Sequence, residues 1–224
     1  MPRLEVLYED NHLLAVNKPA GLPTMGVSTD RSSLLTLAKQ YVKKRYHKPG
    51  EVYLGVVSRL DAMVSGVVLL ARTSKAAARL NDQFRSRAVE KTYWAVVEGE
   101  VAPREVACRD WIESDERHRR MRLATPATPG AQEARLVYRG LRRLDIGTFV
   151  EVRLETGRKH QIRLQLAARG HSIVGDRKYG SRRPMRGGIA LHARRLVFRH
   201  PVRDESIELI APLPESWAPF GISD

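Results

Sequence analysis

Val57-Ser58-Arg59-Leu60-Asp61-Ala62-Met63-Val64-Ser65-Gly66-Val67-Val68-Leu69-Leu70-Ala71-Arg72 leads an Arg-x-Asp pair directly into an apolar run. The run from Ser65 to Arg72 reads as a strand. If the approach to it is extended, side chains alternate faces, so Arg59 and Asp61 point one way while Leu60 points into the protein. A guanidinium beside a carboxylate offsets desolvation and keeps Asp61 ionised at neutral pH. An ionised, positioned carboxylate can act as nucleophile or base. Taken by itself, an Arg-x-Asp pair is an ordinary surface ion pair roughly ten times for each functional one.

The pattern on either side of this stretch predicts an α+β domain. Leu4 to Tyr8 and Leu13 to Asn17 read as a hairpin, and Ser32 or Ser33 caps a helix that runs to about Arg45. After the strand, Thr73 or Ser74 caps a helix from Lys75 to Arg87, with Ala77, Leu80 and Phe84 facing the core. Lys91 to Glu98 reads as a strand covered on both faces. Ala134 to Leu141 and Thr148 to Leu154 form an antiparallel pair about Asp145-Ile146-Gly147. A helix from His160 to Arg169 stops at Gly170, and the last strands are Ala190 to Phe198 and Ser206 to Ile210. Strands outnumber helices without regular interleaving, which favours a mixed, mostly antiparallel sheet flanked by helices and loops. One domain spans residues 1–224, with a loop or arm inserted at about 101–132, where prolines and arginines cluster without periodicity.

The balance of 39 Lys and Arg against 25 Asp and Glu leaves a formal charge of +14, which points to a polyanionic partner. Nucleic acid fits better than a membrane, since the cations are scattered and no basic amphipathic helix stands out. The densest clusters, Arg117 to Arg122 and Arg182 to Arg186, read as solvated loops that grip phosphates. A lone cysteine, Cys108, excludes a disulfide framework and suits a reducing cytoplasm, and the first ten residues do not read as a secretory signal. Walker and Gly-x-Gly-x-x-Gly motifs are missing, and the seven histidines are dispersed, so neither a nucleotide cofactor nor a metal is expected.

A second constellation, Glu155-Thr156-Gly157-Arg158-Lys159-His160-Gln161-Ile162-Arg163, opens the predicted third helix. Arg158, Lys159, His160 and Gln161 are candidate contacts to phosphates or base edges at a helix start, where backbone N–H groups also attract anions. Arg163 follows Lys159 by four residues and His160 by three, so the three share a face. The same segment also suits a structural helix start with solvated charges.

In order along the chain, Asn17-Lys18-Pro19 with Gly21, Arg59-Leu60-Asp61 with Ser65-Gly66, Glu90-Lys91-Thr92-Tyr93, Thr156-Gly157-Arg158 with His160-Gln161-Ile162-Arg163, Gly175-Asp176 with Tyr179-Gly180, and Leu191-His192-Ala193 with His200-Pro201 resemble the RluA-type pseudouridine synthase family. The resemblance implies an isomerase that converts uridine in structured ribosomal or transfer RNA to pseudouridine, without cofactor or metal. It implies that Asp61 is the catalytic aspartate, Tyr93 the active-site tyrosine and Arg163 the basic residue that pairs with the aspartate. Arg59 corresponds to an arginine that occupies the space left by the flipped base. Ser58 stands where the family usually has His, and Val64 where it usually has Thr. Many relatives carry an N-terminal S4 RNA-binding domain. Here the match begins almost at Met1, so the expectation is a stand-alone, monomeric catalytic domain whose own loops grip RNA.

Asp61 would attack ribose C1′ or remove a ribose proton as uracil departs, after the target uridine is flipped from its stack. A non-catalytic RNA-binding or ribosome-assembly factor that keeps the fold is the main rival reading. A carboxylate-pair glycosidase or nuclease lacks a second acid and a metal cluster.

Overall fold

The computed structural model describes residues 4–26 and 32–223. Met1 to Arg3, the head of the stretch that does not read as a secretory signal, lie outside them. In chain order the elements begin with β1 (Glu5–Glu9), β2 (Leu13–Lys18), α1 (Leu34–Arg45), β3 (Gly55–Val56), β4 (Ser65–Ala71) and α2 (Ser74–Arg85). They continue with β5 (Glu90–Val97), β6 (Val106–Asp115), β7 (Arg120–Ala124), β8 (Gln132–Leu144) and β9 (Gly147–Leu154). The last are α3 (Gln161–Ala167), β10 (Leu191–Arg199) and β11 (Ser206–Ile210). The fold class is α+β with a mixed, mostly antiparallel sheet, as the sequence predicts. The chain divides into two compact units, one holding the residues up to Val89 with Ala193–Pro214, the other Glu90–His192 with Glu215–Ser223.

In the first unit the strand order is β1-β2-β4-β10, with β11 on β10 and β3 on β4. β2 and β4 are paired antiparallel from Leu13↔Ala71 to Lys18↔Gly66. Their period of two sends alternate residues to opposite faces, and each face has its own core. Leu13, Ala15, Val67 and Leu69 pack with Ala76, Ala77 and Leu80 of α2. Leu14, Val16, Val68 and Leu70 pack with Leu34, Ala38 and Val42 of α1. Hence the unbroken apolar spelling of β4, in which every residue is buried.

The helix starts are set by caps. Ser33 Oγ accepts the Thr36 N–H at 3.2 Å and Thr73 Oγ1 accepts the Ala76 N–H at 3.1 Å. A Cβ at Gly66, where φ is +115°, would lie 2.3 Å from the Ala193 carbonyl oxygen, so this close approach demands glycine.

In the second unit the order is β5-β9-β8-β6-β7, every neighbour antiparallel. The region 101–132, expected as an inserted arm, instead supplies β6 and β7. Its alternation is hidden because the outward positions of β6 carry charges while Cys108 and Ile112 turn inward, 2% and 1% exposed. Arg117 to Arg122 therefore occupies a hairpin turn and the start of β7 rather than a loose loop. The arginines at 182–186 do lie in a loop and are exposed.

Candidate active site

The segment between β3 and β4 is held from several directions inside the first unit. Ser58 Oγ accepts the Leu69 N–H of β4 at 2.8 Å. Thr24 Oγ1 accepts the Leu60 N–H at 3.1 Å and donates to the Leu60 carbonyl at 2.9 Å. Leu60 packs on the α1 face of the core, while Arg59 is exposed. A turn then closes with the Val64 N–H on the Asp61 carbonyl at 3.1 Å, and the Ala62 carbonyl accepts the Gly21 N–H at 2.8 Å. Ser58, one of the two departures from the family pattern, is thus a backbone splint.

Lys18, the last residue of β2, is fully buried. Its ammonium donates to the carbonyls of Pro19 at 2.9 Å, Leu22 at 2.7 Å and Ala62 at 3.2 Å. Burial lowers its pKa to about 8, and the negative charge of Asp61 works against that drop. Lys18 therefore ties the Asp61 turn to β2 and sets a positive charge against the carboxylate. In the sequence Lys18 stands out only as part of Asn17-Lys18-Pro19. The available signal was a lysine ending an apolar strand, since such a residue is buried only when its ammonium is fully partnered.

The second unit carries Tyr93 and the Thr156–Arg163 constellation. Tyr93 lies on β5 opposite Val152 of β9, partly buried. Arg163, 6% exposed, donates from Nε to Asp176 Oδ2 at 2.6 Å and from Nη2 to Asp176 Oδ1 at 2.9 Å, a bidentate pair with both partners buried. The Arg163 guanidinium carbon also stands 5.0 Å from the Tyr179 ring centroid. The Tyr179 hydroxyl accepts the Met121 N–H at 2.8 Å and lies 2.9 Å from His160 Nδ1. Asp176 and Tyr179, which the sequence offers only as members of a motif, are thus the supports of Arg163. Nothing local in Gly175-Asp176 announces a partner thirteen positions earlier.

α3 is shorter than expected and starts at Gln161, because His160 adopts a left-handed backbone with φ of +52°. Its residues Gln161–Leu166 are all buried, so Arg163 does not share an outward face with Lys159. Arg158 and Lys159 are exposed. Gln161 is the correction within the group. Its Oε1 accepts from Thr156 Oγ1 at 2.7 Å and the Arg158 N–H at 3.0 Å, and its Nε2 donates to the Arg135 carbonyl at 3.0 Å. An amide used in this way shapes the loop that presents Arg158 and Lys159; it does not reach outward.

Comparison with known proteins bears on these two pieces of site. Residues 12–168 match the family model for RNA pseudouridylate synthase. The chain is 38% identical to ribosomal large subunit pseudouridine synthase D of Xylella fastidiosa, over 95% of this chain and 66% of that protein. It is 33% identical to tRNA pseudouridine synthase C of Yersinia pestis, over 96% of this chain and 88% of that one. Among solved structures, human RNA pseudouridylate synthase domain containing 4 superposes with a TM-score of 0.79 at 25% identity, over 97% of this chain and 93% of the other. The chain belongs to the RNA pseudouridylate synthase family, a family of isomerases, and the resemblance read from its motifs holds. It spans 66% of the length of the first of these relatives.

Proposed function

We propose that this protein isomerises specific uridines to pseudouridine in folded ribosomal or transfer RNA, with Asp61 as the catalytic carboxylate. The observation that carries this reading is the Asp61 turn, held by a buried lysine that interacts electrostatically with the Asp61 carboxylate. The uracil leaves its N-glycosidic bond, is reoriented and rejoins through C5, so the product is an isomer and no oxidant or second substrate is consumed. Asp61 starts the sequence by attacking ribose C1′ or by taking a ribose proton. Tyr93 meets the uracil ring and assists loss of the C5 proton, and Arg163 acts as the cation of the reaction centre. Exposed Arg59, Arg158 and Lys159, with His160, contact the RNA. The working form is a cytoplasmic monomer that needs no cofactor.

Release of tritium from C5-labelled uridine in unmodified RNA tests this directly. Wild-type protein should release it, and Asp61→Asn should reduce release by at least on the order of 10⁴-fold with folding retained. Wild-type turnover by Asp61→Asn removes Asp61 from the mechanism. No release by wild-type protein on ribosomal or transfer RNA favours the non-catalytic RNA-binding reading.

A further inference from the structure

The end of α1 carries a surface that the reaction centre does not use. Between Asp30 and Glu51 the sequence has no carboxylate, yet it includes Lys39, Lys43, Lys44, Arg45 and Lys48. Every residue from 43 to 50 is exposed. Cations in the last turn of a helix complement its dipole, which accounts for Lys43 to Arg45. It does not account for Lys48 beyond the helix, nor for Tyr46 and Tyr53, which are 39% and 51% exposed.

Tyr46 is held in place. Its hydroxyl donates to Glu9 Oε1 at 2.9 Å and accepts from Arg72 Nη1 at 3.0 Å, and the Arg72 guanidinium carbon lies 4.3 Å from its ring centroid. Glu9 also accepts from the Tyr41 hydroxyl at 2.8 Å and pairs with Arg45 at 3.2 Å. The result is a fixed, half-exposed aromatic ring among exposed lysines, the combination that holds a phosphate backbone and lets a base stack. The apolar side of α1, Leu34, Leu37, Ala38 and Val42, is buried within the unit and gives a bilayer nothing to take up.

Position decides what this surface could touch. Arg72 directly follows β4, whereas Asp61 precedes its start. Seven residues at ~3.3 Å each put the two ends of that strand about 20 Å apart. A uridine reacting at Asp61 does not reach Tyr46, but RNA flanking it does.

We propose that Lys43, Lys44, Lys48 and the ring of Tyr46 form a second RNA-binding surface that grips the substrate away from the reacting uridine. On the isomerase reading, the preferred substrate is then an extended folded RNA rather than an isolated stem–loop. The test compares wild-type protein with a Lys43→Gln/Lys44→Gln/Lys48→Gln variant and with Tyr46→Ala, each checked for folding by thermal unfolding. The probes are unmodified large-subunit ribosomal RNA transcript and a short stem–loop excised from it.

On the long RNA the triple variant should lose on the order of tenfold in affinity at low salt. Its log K against log salt should become shallower by about 2–3, one step for each phosphate no longer neutralised. Tyr46→Ala should weaken long-RNA binding with little change in that slope, while stem–loop binding and turnover stay as in wild type. Equal long-RNA binding by wild type and triple variant overturns the proposal. So does an equal loss on the stem–loop, or loss of binding only to phosphatidylserine vesicles or an acidic protein. If wild-type protein isomerises neither RNA, the isomerase reading fails, but the binding comparison needs no turnover and still decides the surface.

Discussion

Replacing Lys18 with methionine separates what this residue does for stability from what it does for the site. The ammonium is fully buried and its pKa falls from 10.5 to about 8, a burial cost of about 3 kcal/mol that methionine escapes. Against that, the carbonyls of Pro19 and Leu22 lose their donor, whereas the Ala62 carbonyl keeps the Gly21 N–H. Pro19 is exposed and Leu22 half-buried, so the two orphaned acceptors together cost at most about 6 kcal/mol. The net loss is therefore at most about 3 kcal/mol, or about 6–12 °C in Tm for a chain of this size. Activity should suffer more. The Asp61 turn loses its tie to β2 and the carboxylate loses a neighbouring positive charge, and a displacement near 1 Å at a reaction centre costs on the order of 10²-fold. Thermal unfolding and tritium release on the same preparation give both numbers. A folded Lys18→Met protein with wild-type kcat refutes the reasoning, as does a loss of kcat that disappears once the unfolded fraction is subtracted.

Lys18 also sets a pH dependence. Its folded pKa lies below its unfolded one, so between pH 8 and 10.5 the unfolded chain binds the extra proton, and the contribution of Lys18 to stability rises with pH by about 3 kcal/mol. Denaturant titrations across that window should show this rise in wild type and its absence in Lys18→Met. Turnover should fall as pH climbs through about 8, where the ammonium near Asp61 is lost. Asp176→Asn removes the negative charge from the carboxylate that the buried Arg163 guanidinium grips with two hydrogen bonds. It should lower stability by about 3–5 kcal/mol, read as a Tm drop of about 6–20 °C. Gly66→Ala forces a methyl group against the Ala193 carbonyl in a backbone conformation hostile to it, and should cost on the order of 2–4 kcal/mol by chemical denaturation.

Local pattern carried the first unit well, because there period and packing agree. β4 begins at Ser65, α1 is capped at Ser33 and ends at Arg45, and β11 spans Ser206–Ile210, all as the residues spell them. The reading failed where alternation was masked by charge, at β6 and β7, whose outward arginines and acids look like loop until Cys108 and Ile112 are seen to turn inward. The site divides in the same way. Spacing and order single out Asp61 and Tyr93 as the residues proposed for the chemistry, whereas the side chains that hold their surroundings in place leave no such local signal. The bonds from Lys18 to Ala62 and from Arg163 to Asp176 join residues 44 and 13 positions apart, and such pairings are set by tertiary structure. Gln161 looks like an outward contact because its amide stands beside cations, yet the Thr156 hydroxyl and the Arg135 carbonyl already engage it.

Ser58, Thr24 and Lys18 fasten the Asp61 segment to three different parts of the first unit. The shape of that segment is consequently settled while the chain folds, long before any RNA arrives. On the isomerase function proposed above, a site held in this way does not mould itself to its guest, so the deformation needed for encounter falls on the nucleic acid. Among uridines of equal accessibility, those with poor stacking or a weak pairing partner meet such a site at the smallest cost. Choice of target then depends on the softness of the RNA as much as on its sequence.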